Sequence, residues 1–245
     1  MTAPVFLVPT GPRAPGPVTL DGPEGRHAVS VRRLRIGEPV VLTDGSGSGG
    51  YGTVVAVEGK DRLRVEVSEV RTEPEPRPTI TVVQALPKGD RGELAVETMT
   101  ETGVDAVVPW AAARCVTRWQ GERGLKSLTK WRNTAREAGK QSRRLRFPEV
   151  TEAATTAQVV RLLAEASFAA VLHEAGSSPL ATAELPDDGR IVLVVGPEGG
   201  VTPEELAAFA EAGAHPYRLG PTVLRTSTAG TAAAALLLGR TGRWS

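Results

Sequence analysis

Two glycine-bearing turns and one arginine are the features whose residue types and spacing could support chemistry. The first turn is Val194-Val195-Gly196-Pro197-Glu198-Gly199-Gly200-Val201-Thr202. A run of apolar residues leads into it and a helix-start signal leads out. Glycine at 196, 199 and 200 lets the backbone approach a ligand closely or adopt positive φ. Ligands of open α/β sheets bind at the carboxyl ends of strands. The pattern is neither the G-x-G-x-x-G of dinucleotide sites nor the G-K-[ST] of phosphate loops, and an ordinary strand-to-helix turn fits it as well. The second turn, Leu219-Gly220-Pro221-Thr222-Val223-Leu224-Arg225-Thr226-Ser227-Thr228-Ala229-Gly230, also joins a short strand to a helix. Ser227 or Thr228 can cap that helix. Arg225 stands alone in an uncharged stretch, which suits a surface side chain or a binding group equally.

The remaining reactive side chains are sparse. His27, His173 and His215 share no ligand spacing with Cys115, so no metal site is expected. His173, at a predicted strand end, is the histidine placed to line a pocket. Cys115 is the only cysteine, so no intrachain disulfide can form, and it reads as a small buried hydrophobe. Trp119 and Trp131 suit either stacking on bases or anchoring a helix to its core.

Charge is polarised although the net charge is only +1. Residues 118–146 carry ten Lys or Arg against two Glu, and residues 147–213 carry eleven Asp or Glu against two Arg. One basic face meeting a polyanion would produce this, as would a solvated basic helix beside an acidic surface.

Those residues must be positioned by regular elements. The stretch Arg71-Thr-Glu-Pro-Glu-Pro-Arg-Pro78 excludes helix and favours an extended linker. It predicts an N-terminal domain over 1–72, a linker over 73–78 and a larger domain over 79–245. The first domain reads as a small β-barrel, with strands over 4–8, 39–43, 52–58 and 63–70 separated by glycine-rich turns. A short basic helix is expected within 26–35. In the second domain, strands over 79–84, 104–109, 168–172, 191–195 and 215–219 alternate with helices over 93–102, 125–141, 157–167, 202–212 and 228–238. That alternation implies a mainly parallel α/β sheet. The segment Thr202-Pro203-Glu204-Glu205 is a helix start with Thr as N-cap and Pro at the first position. No apolar run reaches the length needed to span a bilayer, and the N-terminus lacks the basic and apolar regions of a secretory signal, so a soluble cytoplasmic protein is expected.

Taken together, Gly196-Pro197-Glu198-Gly199-Gly200 and Leu219-Gly220-Pro-Thr-Val-Leu224-Arg225-Thr226-Ser-Thr-Ala229 resemble the SPOUT superfamily of methyltransferases. Within it the chain is most similar to the RsmE family, which methylates N3 of a uridine in 16S rRNA. Further blocks agree in order: Ala85-Leu86-Pro87-Lys88-Gly89-Asp90-Arg91, Glu101-Thr-Gly103-Val104, Ala113-Arg114-Cys115, and Glu137-Ala138-Gly139-Lys140-Gln141-Ser142-Arg143-Arg144. His27, Val31 and Arg32-Arg33-Leu34 resemble the family's PUA-like N-terminal block. One departure stands out: family members commonly carry Glu where this chain has Ser227, which leaves Ser227 free to be a helix cap.

The resemblance implies a SPOUT-type parallel sheet with a trefoil knot, beside a PUA-like barrel. It implies a homodimer and S-adenosylmethionine as cofactor. The pocket would be formed by Leu172, His173, Val195, Gly196, Pro197, Glu198, Gly199, Gly200, Leu219, Gly220, Leu224, Thr226, Ser227 and Ala229. The RNA partner would be 16S rRNA or the small ribosomal subunit, with no membrane and no metal. Arg32, Arg33, Arg35, Arg136, Lys140, Arg143, Arg144 and Arg146 are the expected phosphate contacts. A uracil N3 must lose its proton before it can accept a methyl group, and Arg225 is the candidate catalytic residue that would favour the deprotonated imide. Two other readings remain open at this point: a ribose 2′-O-methyltransferase of the same superfamily, and a non-catalytic RNA-binding assembly factor.

Overall fold

The structure is a computed structural model that describes residues 3–244, so Met1 and Thr2 of the N-terminal stretch read for a signal lie outside the described residues. The chain forms two compact units. The first comprises Met1–Glu75 and Gly139–Phe147, the second Pro76–Ala138 and Pro148–Ser245.

In the first unit the strands are β1 (Val5–Leu7), β2 (Gly16–Leu20), β3 (Pro39–Thr43), β4 (Ser48–Glu58) and β5 (Arg62–Thr72), with a short helix α1 (Gly22–Arg26) running into a π-helical turn, His27–Val31. They make one sheet in the order β1-β3-β4-β5-β2, parallel only between β1 and β3. Strand β5 shows why: Leu63, Val65 and Val67 are buried while Arg62, Arg64 and Glu66 between them are exposed, the period of a half-buried strand. Phe6, Leu20, Ala28, Leu42 and Val54 close the same core.

Strand β4 begins four residues earlier than expected because Gly49 and Gly50 pair with Thr43 and Leu42 of β3. These glycines serve contact rather than turning. A Cβ on Gly49 would come within 2.6 Å of Leu145, and one on Gly50 within 2.7 Å of Pro12. The neighbouring segment Gly139–Phe147 lies outside the span expected for the first domain, yet it packs within this unit. Thr43 Oγ1 donates to the Leu145 carbonyl at 3.1 Å, Gly47 N donates to it at 2.9 Å, and Phe147 N donates to the Gly45 carbonyl at 2.9 Å.

The second unit contains β6 (Thr79–Ala85), α2 (Arg91–Thr102), β7 (Ala106–Trp110), α3 (Gly121–Gln141, its last three residues belonging to the first unit), β8 (Glu149–Val150), α4 (Thr156–Ala164), β9 (Phe168–Leu172), β10 (Ser178–Pro179), β11 (Arg190–Val195), α5 (Pro203–Glu211), β12 (His215–Arg218) and α6 (Thr226–Arg240). The sheet order is β10-β12-β9-β11-β6-β7-β8 and every pairing is parallel. Ile191–Val195 of β11 is buried throughout, as a central parallel strand covered on both faces must be. Register decides where a ligand can sit. Val195 pairs with Gln84 of β6 and with Leu172 of β9, so three carboxyl ends finish at one level.

Helix α2 ends at Gly103 with φ 115, the left-handed stop expected there. Helices α4 and α5 both start with complete capping boxes, Thr155 with Gln158 and Thr202 with Glu205. At α6 the expectation fails. The N-cap is Arg225, which makes no side-chain cap bond; Ser227 and Thr228 lie inside the first turn, and Ser227 is 4% exposed. The opposite end of the sheet is tied by Arg243, whose guanidinium grips both carboxylate oxygens of Asp105 (2.5 and 3.0 Å) and the Pro78 carbonyl (3.2 Å). Trp131 is buried in the core and meets the half-buried Trp119 edge to face at 4.9 Å, so the pair anchors α3 to the core. Cys115 is buried too, and that burial raises its thiol pKa. Among the described residues no helix is long and apolar enough to cross a membrane.

Candidate functional site

Beyond the level carboxyl ends of β6, β9 and β11, the second unit opens into a cleft of about 540 Å³. Its wall brings together Leu172, His173, Val195, the whole turn Gly196–Gly200, Leu224, Thr226 and Ala229, with Arg225 at the rim. Leu219 and Gly220 line a smaller adjoining hollow of about 140 Å³ that shares Leu172, His173, Leu224 and Ala229 with the cleft. Ser227 borders neither space, because it points into the first turn of α6 and is buried.

The glycine turn is held from three directions. Thr226 Oγ1 donates to the Gly196 carbonyl at 2.9 Å, which ties the start of α6 to the end of β11. Arg114, in the loop after β7, donates from Nη1 to the Gly199 carbonyl at 3.1 Å. Glu198 accepts from Lys88 N at 3.3 Å and lies 3.6 Å from the Arg91 guanidinium, both in the segment after β6. Gly199 and Gly200 are required here for different reasons. A Cβ on Gly199 would press on Arg114 at 3.1 Å, whereas Gly200 has open space but a φ of +75.

Glu205 organises the layer behind. It is 5% exposed, and its carboxylate accepts from Ala113 N (2.8 Å), Thr156 Oγ1 (3.2 Å) and Thr202 N (3.1 Å). One side chain thus caps α5 and holds the loop that carries Arg114. A carboxylate that accepts three hydrogen bonds in this way is stable in a buried position.

Gln84 is fully buried and is tied to the cleft wall through Thr226. Its Nε2 donates to Thr226 Oγ1 at 3.0 Å and to the Ala85 carbonyl at 3.2 Å, while its buried Oε1 finds no hydrogen-bond partner among the described residues. Cleft volume, exposed glycine backbone and apolar Leu172, Val195 and Leu224 together suit a ligand with an apolar body and several polar edges. Among the described residues no group of three or more His, Cys, Asp or Glu could hold a metal ion.

Arg91, Arg114, Gln84 and Glu205 carry no site assignment in the sequence reading. Arg91 and Arg114 fall within blocks that match the family pattern in order, and that was the signal available for them. Nothing in the periodicity marks Gln84 or the second duty of Glu205. His173 does reach the cleft, its Nδ1 accepting from Ala175 N at 3.1 Å.

The expected phosphate contacts divide. Arg32, Arg33, Arg35, Arg136 and Arg143 are exposed and Arg144 is half-buried. Lys140 is a correction. It is 7% exposed and its ammonium lies 3.0 Å from the carboxylate of Glu24, also buried, so it is structural. Arg146 is folded beneath the glycine flank of β4, where a Cβ on Gly47 would touch its guanidinium, and it donates to the Glu73 carbonyl at 3.4 Å.

Comparison with known proteins gives a consistent outcome. A family model described as an RNA methyltransferase domain matches residues 73–238, and one described as an RNA methyltransferase PUA domain matches residues 20–68. The ribosomal RNA small subunit methyltransferase E of Mycobacterium bovis is 46% identical over 248 aligned positions, covering 100% of this chain and 94% of the relative. That of Bacillus subtilis is 28% identical, covering 86% of this chain and 85% of the relative. Among solved structures, a methyltransferase from Legionella pneumophila with bound S-adenosylmethionine superimposes with a TM-score of 0.86 at 28% identity, covering 98% of both chains. The small subunit methyltransferase E of Neisseria gonorrhoeae, bound to S-adenosylmethionine, gives 0.85 at 28% identity, again covering 98% of both chains.

Proposed function

The chain belongs to the RNA methyltransferase family, and on that premise we propose that it uses S-adenosylmethionine to methylate N3 of a specific uridine in 16S rRNA. The observation that carries this reading is the cleft itself. A glycine turn fixed from three sides stands at the level ends of three parallel strands, with the exposed Arg225 at its rim.

In this reading the cofactor lies against the backbone of Gly196–Gly200, with Leu172, Val195, Leu224 and Ala229 as its apolar walls and Thr226 at its base. Leu219 and Gly220 enclose the adjoining hollow. S-adenosylmethionine supplies the electrophilic methyl group when bound. The protein's own residues handle the base. Arg225 reaches from the N-cap of α6, where its side chain is exposed and makes no hydrogen bond or ion pair among the described residues. It binds the uracil oxygens and favours loss of the N3 proton by stabilising the resulting negative charge. Held in a cleft, the base also gains the advantage of fixed orientation.

Exposed Arg32, Arg33, Arg35 and Arg136, with Arg143 and Arg144, supply phosphate contacts. The proposal includes a homodimer, which light scattering on the purified protein tests, and a cytoplasmic site of action, where ribosomal RNA is found.

The decisive experiment is methyl transfer to small ribosomal subunits lacking their native modifications, with the product nucleoside identified by mass spectrometry. N3-methyluridine is expected. A ribose-methylated product, or no product with cofactor bound, overturns the reading. Arg225→Ala should lower turnover on the order of a hundredfold with cofactor affinity unchanged; full turnover removes Arg225 from the mechanism.

A further inference from the structure

Seven arginines of the first unit fall into two groups, three on strand β5 and four, Arg32, Arg33, Arg35 and Arg143, that follow helical segments. Those on the strands are matched by acids. Arg62 lies 3.9 Å from Asp21, Arg64 3.6 Å from Glu58 and Arg71 2.7 Å from Glu69. Those after the helical segments are not. Arg32, Arg33, Arg35 and Arg143 are exposed, and their guanidinium groups make no hydrogen bond or ion pair among the described residues.

Two of these four carry a second anomaly. Arg33 has φ 54 and Arg143 has φ 60, and at every other described position in the left-handed region the residue is glycine. Each stands two residues past a helical segment, Arg33 after the turn ending at Val31 and Arg143 after α3 ends at Gln141. That is where glycine normally stops a helix, because a Cβ in this conformation crowds the backbone. Unpaired charge and an unfavourable backbone conformation therefore coincide at the same two side chains. Strain at an exposed site persists where the side chain itself is needed.

The two positions are also fastened into one body. The turn that leads to Arg33 continues directly from α1, whose Glu24 carboxylate receives the Lys140 ammonium at 3.0 Å and Leu7 N at 3.1 Å. Arg143 follows Lys140 by three residues, and Leu145 is bonded to Thr43 and Gly47.

We infer that Arg33 and Arg143 form a two-segment clamp on the RNA phosphate backbone, each occupying a position that glycine would fill with less strain. This rests on the ribosomal RNA reading above and specifies which first-unit residues make the contact. Guanidinium suits the task because its planar fork meets phosphate oxygens with two parallel bonds.

The test uses the full chain with Arg33→Gly, Arg143→Gly and the double variant, probed with transcribed 16S rRNA across a salt series. Each single variant should lose about tenfold in RNA affinity, and the log–log salt slope should flatten by about one per arginine removed. Thermal midpoints should hold or rise by about 2 °C, and S-adenosylmethionine affinity should not move. Arg143→Lys should recover part of the RNA affinity and none of the backbone relief. RNA affinity within twofold of wild type in the double variant overturns the clamp, as does a loss of RNA affinity accompanied by a falling midpoint. A wild-type chain that binds RNA but forms no methyluridine overturns the functional reading alone, since the binding series still reads the clamp.

Discussion

In the second unit the charged side chains behind and beside the cleft, Arg225 at its rim apart, are engaged with the backbone of its loops. Glu205 holds Ala113 and Thr202, Arg114 holds Gly199, and Glu198 holds Lys88. In the first unit, the guanidinium groups of Arg32, Arg33, Arg35 and Arg143 hold nothing among the described residues. A pocket for a small ligand must keep its geometry when empty, so its charges are spent on fixing loops. A surface for a polyanion needs its charges available, and tolerates their mutual repulsion.

Removing a charge should therefore have opposite consequences in the two regions. The largest effect is expected at Glu205. Glu205→Ala leaves two backbone N–H groups without their acceptor and should destabilise the protein by about 3 kcal/mol in denaturant titration, weakening cofactor binding with it. A loss under about 1 kcal/mol would erase the contrast with the first unit. Gly200→Ala comes next. Space around that position is open, the nearest atom being Arg114 Nη1 at 3.7 Å from the added Cβ, so the cost is that of φ +75 alone. About 1 to 2 kcal/mol is expected, read as a lower thermal midpoint together with weaker S-adenosylmethionine binding in calorimetry.

The smallest effect is expected at an exposed carboxylate of the first unit. Asp44 has its pKa lowered chiefly by the Ser46 hydroxyl, with help from the backbone N–H groups of Ser46 and Gly11. A carboxyl depressed in the folded state contributes stability that is complete above its ordinary value of 3.8 and is lost as pH falls through the lower folded value. Thermal midpoints of wild type and Asp44→Asn should differ by a degree or two at neutral pH and converge in that acid window. A constant gap would mean that Asp44 acts through shape and not charge.

What was legible in the sequence follows from local physics. The β11 run Ile191–Val195 and the Thr202 capping box could be read because burial on both faces and helix capping leave signatures within a few residues. Gly49 and Gly50 misled because glycine is ambiguous between turning and close packing; the partners that decide, Leu145 and Pro12, are distant in sequence. Lys140 looked like a member of a basic face for the same reason. Its partner Glu24 is 116 residues away, and no periodicity reports a buried ion pair. Ser227 is a residue type that caps helices, but Thr226 bonds the Gly196 carbonyl and the helix starts two residues earlier, with Arg225 at the N-cap. Most of the cleft wall was legible through motif order; its supporting layer of Glu205 and Gln84 was not, because those roles exist only once the strands are in register.

The return of Gly139–Phe147 to the first unit bears on how this protein could be dissected or recombined. A fragment cut in the proline-rich stretch would lack Leu145 against Gly49 and Lys140 against Glu24, leaving a bare glycine flank and a buried carboxylate without its ammonium. The first unit is thus not a portable cassette. Any graft of it onto another enzyme would have to bring both pieces of chain, and a gene fusion made at the linker alone should yield an insoluble or unfolded product.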